Sequence, residues 1–154
     1  MMLTTLAWLG LAAYAAHILE EHTFDWRNWA RGVMGLPVEW TDFYVTNAVV
    51  IVLGIVQAEL AAALPLAPLS FAMLMLINAV VFHILPFIRA RGRFSPGLIT
   101  AVVLFIPLGI AVIYTALPAV GWGTLVAAFA VAAVIMAYPV VMLNAKSKPF
   151  FRQT

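Results

Sequence analysis

Residues 17 to 22 read His-Ile-Leu-Glu-Glu-His, at the end of the apolar run MMLTTLAWLGLAAYAA. Imidazole and carboxylate are the side chains that ligate zinc, non-haem iron and manganese. They are also the groups that take and give protons near neutral pH. On a helix turning ~100° per residue, Gly10, Tyr14, His17 and Glu21 fall on one narrow stripe, with Glu20 ~60° to its side. His22 points away. A polar stripe on a helix otherwise built of Leu, Ala and Trp has to face protein or trapped water, because ionisable groups are costly in lipid and need partners.

Lipid is the expected solvent for most of this chain. Of its 154 residues 66% are hydrophobic and only 9% charged, well beyond the roughly half-apolar norm of soluble domains. The net charge of +2 is too small to argue for nucleic acid, and there are no cysteines to form disulfides or thiolate metal sites. The start lacks a basic n-region, and its apolar run ends in glutamates where a signal peptide would have a small-residue cleavage site. The first helix is therefore expected to stay.

The elements that must position the stripe follow from hydropathy. Five apolar segments, 3–21, 43–64, 66–88, 96–117 and 122–143, are each close to the ~20 residues that cross a hydrocarbon core as a helix. The expectation is an all-α polytopic transmembrane bundle forming a single domain over 1–154. Pro65 and Pro68 make spans two and three a tight hairpin, and Pro118 with Gly121 does the same for spans four and five. In SPGLIT, Ser95 can cap span four with Pro96 in its first turn. The basic residues Arg27, Arg31, Arg89, Arg91, Arg93, Lys146, Lys148 and Arg152 then share one side. The positive-inside rule makes that side the cytoplasm, with the N-terminus out and the C-terminus in. The long first loop, 24–40, alternates aromatic and charged residues, and an interfacial helix at about Asp25 to Met34 fits it, either as a surface anchor or as a lid.

Partners for the stripe come from the same depth. His83 lies about a turn and a half from the cytoplasmic end of span three, as His17 does in span one. Tyr44 and Asn47 start span two, and Asn78 sits deeper in span three. With Tyr14 these form the expected surroundings of a substrate. Glu59 falls ~24 Å along span two, near the outer face. His17, Glu20, Glu21 and His83 are the candidate ligands of a divalent metal, zinc, iron or manganese, with Glu20 or Glu21 as general base. The spacing is neither the H-E-x-x-H of zincins nor the paired E-x-x-H of di-iron bundles. A metal-free proton-transfer pair and a hydrogen-bonded staple between spans one and three stay open as readings.

His17-Ile18-Leu19-Glu20-Glu21 resembles the His-x-x-Glu-Glu signature of the bacterial membrane-protein family named HXXEE. The run NAVVFHILPFIRARGRFSPGLITA is similar to that family's second block, a histidine followed by a Pro-Gly helix start. The resemblance covers about the first two thirds of the chain. It implies that His17, Glu20, Glu21 and His83 stand at family-typical positions and that the chain lies in a bacterial cytoplasmic membrane. It supplies no activity, the family being functionally uncharacterised. The residues therefore lead to an expectation of a membrane-embedded, divalent-metal-dependent enzyme acting on a lipidic or amphiphilic small molecule near the cytoplasmic face. A small proton-coupled transporter using the same cluster, or a non-catalytic membrane subunit, is the alternative. The partners are the bilayer and a hydrophobic small molecule, with a homo-oligomer left open.

Overall fold

The computed structural model describes residues 2–146 and 148–151. Arg152, one of the basic residues expected to set the orientation, lies outside them. Every regular element among the described residues is a helix. They are α1 (Met2–Thr23) and α2 (Trp26–Val33), then α3 (Trp40–Leu60), α4 (Leu66–Arg89) and α5 (Leu98–Lys146), with a 3-10 turn at Pro149–Phe151. Four of them, α1, α3, α4 and α5, are long and apolar enough to cross a membrane. The interfacial helix expected in the first loop is α2, entered through Asp25, whose carboxylate accepts from the Asn28 backbone N–H.

Spans four and five, separate in the sequence reading, run together as the 49 residues of α5. Helical geometry breaks within it at Gly121, which takes φ 76° and ψ 174°, a conformation open to glycine because it lacks a Cβ. Its two arms fold back there. Ala101, Phe105 and Ala132 pack in one cluster with Phe71 to Ala79 of α4, and Val112, Ala116 and Ala128 in another with Leu69 and Ala72. In a straight helix Phe105 and Ala132 would stand ~40 Å apart.

Small side chains let α1 and α3 approach closely, through buried Ala7, Ala58 and Ala61, as is usual where lipid removes the hydrophobic drive between helices. Gln57 secures the same interface, its Nε2 donating to the carbonyls of Ala7 and Gly54 at 2.8 and 2.9 Å. The outer faces carry Val45, Val49, Val52, Val102, Ile110 and Val126, all exposed.

Two stretches widen to π-helix, Asn78–Ile84 in α4 and Ala101–Phe105 in α5. Each ends two residues before a proline, Pro86 and Pro107. Proline offers no N–H and its ring crowds the carbonyl four residues back, so the regular ladder cannot run through those points. The first π stretch carries His83 and the second Phe105, and π segments are frequent at functional sites.

Candidate functional site

His17 of α1 and His83 of α4 are fully buried, with ring centroids 4.8 Å apart at 86°. Phe105 packs on His17 at 4.5 Å and stacks on Tyr14 at 5.3 Å. The segment Ser95 to Thr100 lies between α1 and α4 and holds both rings by their Nδ1 atoms. His17 Nδ1 is 2.8 Å from Thr100 Oγ1, and His83 Nδ1 is 3.2 Å from Ser95 Oγ.

The direction of the Thr100 bond can be deduced. Its hydroxyl has one proton, and its donor geometry points to a Glu20 carboxylate oxygen at 2.6 Å and to the Gly97 carbonyl at 3.2 Å, both acceptors. Toward His17 the oxygen can only accept, so Nδ1 is the donor, and in the neutral ring that leaves the lone pair on Nε2. A histidine fixed by its other nitrogen in this way is the usual state of a metal ligand.

The Nε2 atoms of both histidines are buried and have no hydrogen-bond partner. Each lies 3.5 Å from Glu21 Oε1, outside good hydrogen-bonding distance. His17 Nε2, His83 Nε2 and a Glu21 oxygen lie within 4.8 Å of one another, the one such group able to hold a metal ion among the described residues.

Glu20, which the sequence groups with these ligands, is engaged elsewhere. Its Oε1 accepts from the N–H groups of Gly97 and Ile99 at 3.1 Å each, and its Oε2 from the Thr100 N–H at 2.7 Å and the Thr100 hydroxyl at 2.6 Å. The first backbone donors of a helix have no intrahelical acceptor, and a carboxylate there also meets the positive end of the helix dipole. Glu20 thus ties the start of α5 to the end of α1.

Gly97 was not singled out by sequence reasoning. Its φ of 92° already disfavours any side chain, and a Cβ would stand 2.6 Å from Cε1 of both His17 and His83. The backbone of this residue is the floor against which the two rings are set. The Pro-Gly pair before a helix was its signal, together with hydroxyl residues at each end of SPGLIT.

The remaining expected residues divide. Tyr14, Asn47 and Asn78 line a cavity of about 90 Å³ that also reaches Glu21, room for several waters. Asn78 is buried and its Oδ1 has no partner. Tyr44 is not brought to the site: it is half exposed, and its hydroxyl is 3.1 Å from Nε2 of His22, the histidine expected to point away. Glu59 is exposed near the far end of α3.

Over the cavity, α2 and the residues that follow it form a strap. Trp29, Ala30 and Val38 bury themselves against Leu143. Glu39 pairs with Arg27 and Arg31, and Asp42 with Lys146. Hydrogen bonds from Arg27, joined by those from Arg31, hold the Glu39 carboxyl below the usual carboxylate range against a smaller opposing desolvation.

The fold and the site together define an all-helical protein of the membrane type with a buried His-His-Glu cluster at one end of its bundle. The chain belongs to the HXXEE family: the family model, described as a protein of unknown function with HXXEE motif, matches residues 8–112. Neither the curated proteins nor the solved structures provide a match.

Proposed function

We propose that this chain is a membrane-embedded metalloenzyme whose divalent ion is held by His17 Nε2, His83 Nε2 and the Glu21 carboxylate. One observation carries the reading: two fully buried imidazole nitrogens without partners face one carboxylate oxygen at 3.5 Å each. Ligands ~2.0–2.2 Å from a tetrahedral ion stand ~3.3–3.6 Å apart, which the two histidine–glutamate spacings match, and the whole group lies within 4.8 Å, so an ion would draw it together modestly. An orphaned buried nitrogen is costly, and an ion accepting both lone pairs removes that cost. It also offsets the buried carboxylates of Glu20 and Glu21.

Two imidazoles and one carboxylate suit zinc, iron(II) or manganese, and three protein ligands leave a position for water or substrate, as catalytic sites do. A bound ion would supply Lewis-acid or redox chemistry. The chain's own contributions are distinct from that. Thr100 and Ser95 hold the ring tautomers and orientations, Glu20 fixes the segment that carries both hydroxyls, and Gly97 sets the spacing of the rings. Glu21 is the ligand nearest the cavity, or in its place the general base there, and Asn47 and Asn78 offer polar contacts to a substrate.

In this reading the two arms of α5 are separate spans, giving five crossings with the N-terminus outside and the basic loops in the cytoplasm. The site then opens near the inner leaflet of a bacterial cytoplasmic membrane, and its substrate is lipidic or amphiphilic. The test is elemental analysis of detergent-purified protein beside His17→Ala and His83→Ala. Stoichiometric metal in the wild type, lost in both variants, is expected. Wild-type protein without metal overturns the metalloenzyme reading, and metal retained in both variants overturns the ligand set.

A further inference from the structure

A second cavity, of about 730 Å³, lies between α4 and the second arm of α5, and its lining is entirely Met, Leu, Ile, Val, Phe and Ala. That is the size of a small-molecule site. Leu36, Phe82, Met136 and Val140 line both this groove and the cavity at Glu21. The two adjoin across one layer of side chains, in which Met136 is readily rearranged.

Polarity changes at that layer. No polar side chain lines the groove, whereas Glu21, Asn47 and Asn78 line the inner cavity. Asn78 Oδ1 is the unpartnered acceptor there, on a side chain more than nine-tenths buried. From Phe129 to Val141 the groove follows α5 for ~18 Å, and from Met73 to Phe82 it follows α4 for ~14 Å. One leaflet of the hydrocarbon core is ~15 Å deep. In the orientation proposed above, Glu21 lies near the cytoplasmic end of α1, Asn78 ~16 Å along α4 from Arg89, and the far end of the groove at Met73 and Phe129 deeper still, so the run from Glu21 into the groove has the same sense as an inner-leaflet lipid. The water side, by contrast, is covered by the α2 strap, with Trp26, Leu36 and Val38 over the cavity.

We infer that the substrate is a single-chain amphiphile of the inner leaflet that reaches Glu21 sideways, with its chain in the groove and its polar head in the inner cavity. This rests on the metal-site reading for its chemistry but not for its route. The amphiphile needs neither to leave the membrane nor to turn over in it, and Asn78 accepts a hydrogen bond from a hydroxyl, amide or protonated acid on its head.

The test uses full-length protein in nanodiscs of phosphatidylethanolamine and phosphatidylglycerol, with two palmitic acid probes bearing a diazirine near the carboxyl or near the methyl end. Peptide mapping after illumination is expected to place the methyl-end label at the far end of the groove, on Met73 and 129–133, and the carboxyl-end label on 42–47 of α3. Ala133→Trp, and separately the milder Ala137→Leu, are expected to cut both labels about tenfold by overfilling the groove. Labels that coincide for the two probes, that spread evenly over Val45, Val49 and Ile110, or that ignore both substitutions overturn the route. Elemental analysis of the same samples separates the readings. Polarised labelling without metal supports the route and sinks the metal site, while metal without groove labelling overturns the route alone.

Discussion

Glu20 receives hydrogen bonds from three backbone N–H groups and one hydroxyl of residues 97 to 100. Glu21, the next residue of α1, meets only two imidazole nitrogens at 3.5 Å. Both are buried carboxylates on one helix turn, and burial alone would penalise each. Donors that saturate a buried carboxylate make it scaffold, and in the proposed reading the carboxylate left without them is the one free to bind an ion. Stability should therefore follow Glu20 and its contacts, and ligand chemistry should follow Glu21.

The largest expected effect comes from Gly97→Ala, which strikes both halves of the comparison. A Cβ 2.6 Å from both rings, on backbone that disfavours it, should cost about 2–5 kcal/mol and abolish metal binding. Thermal unfolding in detergent and metal titration measure the two losses. A variant of wild-type stability that still binds metal would show that the rings are not set against this backbone.

Glu20→Ala should come next in stability, since it orphans backbone donors at about 1–3 kcal/mol each. Glu21→Gln should leave the melting temperature within a few degrees of wild type, because removing an under-satisfied buried charge is seldom destabilising. It should nevertheless weaken metal binding by more than ~100-fold, beyond what loss of an outer-shell partner costs. If the two variants behave alike in both assays, the division between scaffold and reactive group collapses.

A smaller effect is expected from Thr100→Val. It removes the acceptor for His17 Nδ1 but keeps the backbone N–H to Glu20, and should lower metal affinity ~10–100-fold, the range for residues that orient a ligand. Wild-type affinity in this variant would deny the hydroxyl its orienting role.

The smallest effect lies at the strap. Glu39 has its carboxyl lowered by Arg27 and Arg31, so its ion pairs contribute above the ordinary glutamate value of ~4.3 and fade as pH falls through its lower folded value. Hydrogen exchange across 25–39 should rise in Glu39→Gln at pH 7, and in the wild type only under strong acid. Equal protection in the two proteins at pH 7 would remove these pairs from the strap.

Much of this arrangement was legible in the sequence because helical periodicity is a local property. The stripe through Tyr14, His17 and Glu21 is buried as expected, α2 is capped by Asp25, and His83 meets His17. The division between Glu20 and Glu21 could not be read from α1, since ~60° of rotation separates two inward directions without saying what fills each. Only the approach of residues 95–100 decides it. Tyr44 was misleading for a related reason: depth along α3 placed it level with the site, while its facing depends on how α3 turns against α1. The π stretches were signalled by Pro86 and Pro107, whose effect on the preceding turn is local. Gly97 was visible as part of a helix start, but its second role depends on rings brought from two other helices.

The most direct measurement is X-ray absorption on metal-loaded protein in detergent, wild type beside Glu20→Gln and Glu21→Gln. Two imidazole nitrogens and oxygen at ~2.0–2.2 Å are expected around the ion. That shell should persist in Glu20→Gln and be lost or altered in Glu21→Gln. A wild-type shell without imidazole, or one that changes with Glu20 and not with Glu21, would contradict the proposed ligand set.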